Sequence, residues 1–225
     1  MSEAKRRRVA GHTDIEPSAT HHFNYHYSKP YLKNRHVLDI GCWTGQLESL
    51  ILQSTRHIIG IDPGVNAIKA AQKRFPHLNF KVGIAEKLEF KNNLFDTVLF
   101  FDVIEHLPKG TEPQALSEIH RVLKPGGHLI MATPNAHPIS ILMDPAYFLI
   151  AHRHYSMNQL TKMLNKASLE IVNKNQNGGV LKLSYEIYHL LAKHILGAKT
   201  KAPKHVIDEY YKKGFAQNYL IAKKI

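Results

Sequence analysis

Between residues 36 and 133, short apolar runs alternate with stretches whose apolar positions recur about once per helical turn. The first run is His36-Val37-Leu38-Asp39-Ile40, followed by Leu47 to Leu52 at helical spacing. The second, His57-Ile58-Ile59-Gly60-Ile61, precedes Val65 to Phe75, where Val65, Ile68, Ala71 and Gln72 fall about a turn apart. Asn79 to Val82 predicts a third, short strand. Phe95 to Phe101 predicts a fourth, apolar at nearly every position, as a strand buried on both faces must be. Glu112 to Leu123 predicts a helix that stops at Lys124-Pro125-Gly126-Gly127, where proline breaks the helix and two glycines turn the chain, before a fifth strand at His128 to Ala132.

This alternation predicts a parallel sheet with helices on both faces, because parallel neighbours need crossovers and the crossovers cover the sheet. Binding then belongs at the carboxyl ends of the strands. Residues 1–34 read as a basic tail and helical cap, and 35–175 as the core. Within it, Asn135 to Tyr155, apolar but punctuated by Pro138 and Pro145, is long enough to be a functional lid or binding segment. Ser156 predicts the N-cap of a helix to Lys166, and Ser168 to Lys174 a sixth strand. Residues 176–214 read as a helical insertion. In it Val180, Leu183, Ile187, Leu190, Leu191 and Ile195 share one stripe that must bury, and His205 to Lys213 forms a further piece. Phe215 to Ala222 predicts the closing strand of the core, within 215–225.

Composition narrows the class without choosing it. At 225 residues, with 44% hydrophobic positions, the chain suits one domain with a decorated end and excludes collagen-like, low-complexity and wholly disordered proteins. A single cysteine, Cys42, rules out an intrachain disulfide and a cysteine-built zinc site, so the cytoplasm is the expected compartment. Lys5-Arg6-Arg7-Arg8 has no apolar run behind it, unlike a secretory signal. No uncharged apolar stretch approaches the roughly 20 residues of a membrane span, and peripheral membrane contact stays open. Thirty Lys+Arg against 18 Asp+Glu give +12, a balance that favours polyanions, anionic membrane surfaces or acidic small molecules. The excess sits at Lys5 to Arg8, Lys199 to Lys204, Lys212-Lys213 and Lys223-Lys224, which reads as a solvated surface rather than a nucleic-acid footprint.

The candidate chemistry begins at Val37-Leu38-Asp39-Ile40-Gly41-Cys42-Trp43-Thr44-Gly45-Gln46-Leu47, an acid in the first strand and a glycine turn into a helix. Gly41 and Gly45 let backbone approach a ligand, and the helix start presents free N–H groups. Asp62, about twenty residues on at the end of the second strand, stands where an acid accepts two ribose hydroxyls. The third glycine of a dinucleotide fingerprint is missing, and Asp39 puts negative charge where a pyrophosphate would sit. The ligand expected is a nucleoside with a cationic amino group. Cys42 is expected to pack rather than react.

These residues, with Gly60-Ile61-Asp62, Phe95-Asp96-Thr97-Val98, Val103-Ile104-Glu105-His106-Leu107 and Glu118 to Gly127, resemble the class I S-adenosylmethionine-dependent methyltransferases from about residue 35 to 175. The likeness is greatest to the small-molecule group that includes ubiquinone-biosynthesis enzymes. The resemblance implies an α/β, Rossmann-like fold: a seven-stranded, mostly parallel sheet flanked by helices, with an antiparallel last strand and a helical insertion before it. It implies S-adenosyl-L-methionine as cofactor, with Asp39, Gly41, Cys42 and Gly45 at its methionine end, and Asp62 and Pro63 at the ribose. Ala85 and Glu86 would lie beside adenine, and Asp102 near the reacting methyl group. Two positions depart from the family: Trp43 stands where glycine is frequent, and Ile84 where an acid often receives the adenine amino group, which shifts adenine recognition to backbone at Ala85.

The activity implied is methyl transfer to a small, apolar or lipid-like acceptor, O-methylation slightly favoured, with Leu142, Met143, Tyr147, Phe148 and Ile150 as acceptor wall. His106 and His154 are the candidate general bases, histidine being poised near neutral pH. Asp102, Glu105 and His106 also resemble the metal-binding cluster of quinone O-methyltransferases, but no metal is expected. A nucleic-acid methyltransferase is the alternative, supported by charge. Strand four, however, ends in Phe101-Asp102-Val103-Ile104 rather than Asn/Asp-Pro-Pro-Tyr/Phe, and no Pro-Cys nucleophile exists. A third class, a cofactor-binding but non-catalytic partner protein, is opposed by the intact Asp39, Gly41 and Asp62.

Overall fold

The computed structural model describes residues 16–145, 147, 152–196 and 200–225. Seven strands, β1 (Val37–Ile40), β2 (Ile58–Asp62), β3 (Asn79–Val82), β4 (Phe95–Phe101), β5 (Leu123–Pro134), β6 (Leu169–Asn177) and β7 (Gln217–Lys224), form one sheet in the order β3-β2-β1-β4-β5-β7-β6. Only β7 runs antiparallel to its neighbours. The order reverses between β1 and β4, which opens a crevice at their carboxyl ends. The helices are α1 (Ala19–Ser28), α2 (Gln46–Ile51), α3 (Val65–Arg74), α4 (Glu112–Val122), α5 (Pro138–Leu142), α6 (Met157–Lys166), α7 (Val180–Leu196) and α8 (Lys204–Tyr210). No helix among the described residues is long and apolar enough to cross a membrane.

The sheet is buried on both faces because β4 alternates between two cores. Val98 and Phe100 join Leu116, Ile119, Leu160 and Leu164 from α4 and α6. Leu99 and Phe101 join Phe23 of α1, Leu47 and Ile51 of α2 and Val206 of α8. Burial of each such side chain contributes about 1.5–3 kcal/mol, enough to tie every layer to the strand that ends at the crevice. Ser156 caps α6 through a reciprocal bond with Gln159: the serine hydroxyl accepts from the Gln159 N–H and the Gln159 side chain from the Ser156 N–H.

Five expectations are revised. α4 stops at Val122, and Lys124 to Gly127 lie inside β5 rather than ahead of it. There β5 advances from Leu123 to His128 while β4 advances only from Phe95 to Thr97, so the extra residues bulge, which a proline without an N–H tolerates. The sixth strand extends to Asn177, and the seventh is shifted to 217–224, its register set by pairing on both sides. The piece at 205–213 is helical only over α8. On α7 the buried positions include Lys182, Leu183 and Ala192, whereas Val180 and Leu191 are exposed, so the anticipated stripe splits between core and solvent. The side chains of Leu190 and Ile195 lie outside the described residues.

Candidate functional site

At the carboxyl ends of β1, β2 and β4 lies a cavity of about 1060 Å³. Its wall brings together Asp39, Gly41, Cys42, Asp62, Pro63, Ala85, Glu86, Asp102 and His106, along with Trp43 and Ile84. α1 closes it from above with Thr20, His21 and Asn24. Gly45 stands outside this wall. It caps α2 at φ +84°, and a Cβ there would approach Phe80 to 2.8 Å, so its glycine serves the turn. Gly41, at φ +88°, touches the turn after β4 so closely that a Cβ would meet Val103 at 2.4 Å.

The floor is acidic. Both Asp62 oxygens accept backbone N–H groups, from Gly64 at 2.7 Å and from Trp43 at 3.2 Å, which fixes the carboxylate and holds Trp43 at φ +50°. Burial pushes the Asp62 carboxyl up, against the pull of those bonds. Asp39 is buried more deeply, and desolvation pushes it up to about 7, offset in part by a hydrogen bond with Glu48. Glu48, fully buried on α2, is pushed well up, first by burial and then by the Asp39 charge. Gly60 makes its presence there possible, since a Cβ on Gly60 would stand 2.4 Å from Glu48 Oε1.

At the other end, beyond Asp102, an acid–histidine cluster forms the wall. Asp102 itself has φ +54° and accepts from the Gln217 side chain; burial pushes it up to about 6 against the pull of Lys182. Glu105 is buried, pushed well up first by burial and then by Asp102, and accepts from Thr133 Oγ1 at 2.9 Å. The ring of His106 opens on the cavity and stacks on His152 at 4.7 Å. Desolvation first, then the neighbouring His152, pulls it down to about 4 against the pull of Asp144.

His154 stands apart from the large cavity, lining a smaller one of about 240 Å³ between α5 and α7. Its Nδ1 lies 2.9 Å from the Asn135 carbonyl and its Nε2 2.8 Å from Asp144 Oδ2, so both ring nitrogens face acceptors. His152 borders both cavities. Its Nδ1 is 2.5 Å from Asp144 Oδ2, while Nε2, buried and without a hydrogen-bond partner, lies 3.8 Å from the equally unpartnered Glu105 Oε1. Ligand atoms of Glu105, His106 and His152, and of Asp144, His152 and His154, each lie within 4.8 Å of one another, and either set has the chemistry to hold a cation.

Neighbouring Arg153 clamps the turn after β4. It donates to the Ile104 and Leu107 carbonyls at 2.9 and 2.6 Å and pairs with Glu112. Of the expected acceptor wall, Met143 lines the smaller cavity, Leu142 points outward at 75% exposure, Tyr147 packs its ring against His154, and Phe148 and Ile150 lie outside the described residues.

Residues 38–131 match the family model for the methyltransferase domain. Over these residues the chain is similar to the S-adenosylmethionine-dependent methyltransferases. That likeness implies S-adenosylmethionine as cofactor, and the donor set fits it: two buried carboxylates beside a glycine turn suit a ligand bearing an ammonium group and a ribose diol. A "Probable S-adenosylmethionine-dependent methyltransferase" of Mycolicibacterium smegmatis is 32% identical over 137 residues, 61% of this chain and 52% of that protein. The demethylmenaquinone methyltransferase of Lactiplantibacillus plantarum is 34% identical over 123 residues, 51% of each chain. This methyltransferase-domain chain thus spans about half the length of the curated relatives it matches. Among solved structures, the cyclase SpnF shares the fold with a TM-score of 0.66 at 19% identity, covering 94% of this chain and 84% of that one.

Proposed function

We propose that the protein methylates a small, apolar or lipid-like acceptor at a hydroxyl, with His152, oriented by Asp144, as the general base. Bound in the large cavity, S-adenosylmethionine supplies an electrophilic methyl group on a sulfonium. Asp39, with the backbone of Gly41 and Cys42, holds its amino-acid end. Asp62 and Pro63 hold the ribose, Ala85 and Glu86 border adenine, and Asp102 lies toward the methyl group.

The observation that carries the reading is His152 itself, a wall shared by the cofactor cavity and the smaller cavity lined by Met143, Leu183 and Ile187. Nε2, the edge turned toward Glu105 and the cofactor cavity, takes the proton of an acceptor hydroxyl brought to it, while Asp144 holds the opposite edge of the ring. His106 is less suited, since its lowered pKa makes it a weak base, and His154 less so, with both nitrogens facing acceptors. A relative named for demethylmenaquinone supports an apolar acceptor, and a single, buried cysteine suits the cytoplasm.

Labelled cofactor incubated with a fractionated cell extract tests the acceptor: label should enter the organic-extractable fraction. Its entry into RNA instead would replace this reading. His152→Asn should cost ~10²–10⁴ in turnover and remove an ionisation from the pH profile, with Asp144→Asn following in part. Chelation should leave turnover unchanged. Loss on chelation, restored by a divalent ion, would make Glu105, His106 and His152 ligands instead.

A further inference from the structure

α7 is apolar on the side that faces away from the protein. Val180, Leu181, Tyr188 and Leu191 are each about half exposed. At a helical repeat they fall within an arc of roughly 100°, with the buried Lys182 on the far side of the helix. Across the smaller cavity, α5 and its continuation expose Ile139, Leu142 and Tyr147. Seven of the twelve large hydrophobic residues exposed among the described residues therefore belong to the two segments that wall this cavity. A concentration of this kind on a soluble chain marks a surface that meets something else.

Charge decides what. The one acid on α7, Glu186, is turned toward the buried Lys182 at 2.8 Å and Tyr210 at 3.2 Å, and Asp144 beside α5 is engaged by two histidines. Lys201 and Lys204 are exposed just after Thr200, whose hydroxyl lies 3.2 Å from the Tyr185 hydroxyl of α7. A second copy of the chain would bring +12 against +12, whereas an anionic lipid surface complements both the apolar and the basic residues.

We propose that the α5–α7 face docks on an anionic membrane surface and that the smaller cavity takes its acceptor from that surface. The second half rests on the apolar-acceptor reading above; the first does not.

The full chain is sedimented with vesicles of phosphatidylcholine, alone or mixed with phosphatidylglycerol. Binding is expected to the mixed vesicles, weakened by salt. The double variant Leu181→Ser/Leu191→Ser should bind at least about tenfold less, with melting temperature and S-adenosylhomocysteine affinity unchanged. Independently of any loss of fold, Tyr188→Trp should shift its emission to the blue on mixed vesicles and be quenched by brominated lipid, against the Trp43 baseline of the unsubstituted chain. Absence of vesicle binding, or undiminished binding by the double variant, would overturn docking. So would a dimer by light scattering that the same substitutions split. Vesicle binding with label entering only water-soluble products would uphold docking and overturn the apolar acceptor.

Discussion

Asp39 and Asp62 share one floor but answer to different physics. Asp39 ionises in the folded protein only near pH 7, because burial opposes its charge, while its unfolded value is 3.8. The folded state therefore holds the extra proton between about pH 4 and 7, and this carboxyl costs stability as pH rises through that window. Asp39→Asn should raise the melting temperature of the cofactor-free protein at pH 8, by about 2–4 °C per kcal/mol recovered, and change it little at pH 4.5. The same substitution should weaken cofactor binding. In the unsubstituted protein, affinity should climb as pH rises toward 7 and level above it; calorimetry in buffers of different ionisation enthalpy should detect a proton released below pH 7 and none well above. Asp62 organises its own turn through the Gly64 and Trp43 N–H groups. Asp62→Ala should thus lower stability as well as affinity, each by roughly 1–3 kcal/mol, and unchanged affinity would remove it from the site.

Elements decide which of these residues meet. Arg153 joins the turn after β4 to the segment leading into α6, and Arg153→Met removes the donors to the Ile104, Glu105 and Leu107 carbonyls and the cation that pairs with Glu112. The expected result is a melting temperature several degrees lower, with faster hydrogen exchange over residues 104–107, and turnover reduced because His106 and His152 lose their register. Most of the sheet was legible in the chain: 79–82 and 95–101 are strands to the residue, since their apolar runs are bounded by sharp breaks. The glycine turn and Asp62 were legible for the same reason, lying at strand ends. Glu48 was not, because an acid in the first turn of a helix reads as surface; Gly60, in β2, leaves the room that its burial needs. Nor were Asp144 and His152, which meet across an irregular stretch with no period to betray it, leaving attention on His154 beside them. The face of α7 was misread because its apolar residues outnumber the positions the core can cover.

At the scale of the whole molecule, +12 acts at a distance and apolar surface acts on contact. If the basic residues are solvated rather than arranged as a footprint, structured RNA or double-stranded DNA has only charge to hold. Binding should then be weak, indifferent to sequence and displaced by moderate salt, because nearly all of it is counterion release. Anionic vesicles engage the α5–α7 face as well, so part of that binding should persist at the ionic strength that clears nucleic acid from the protein. A salt titration of both ligands on one preparation separates the two. Parallel loss of both would reduce the vesicle interaction to charge alone. Tight binding of one RNA at physiological salt, with methyl transfer to it, would instead make the basic surface a recognition surface and the small-molecule reading wrong.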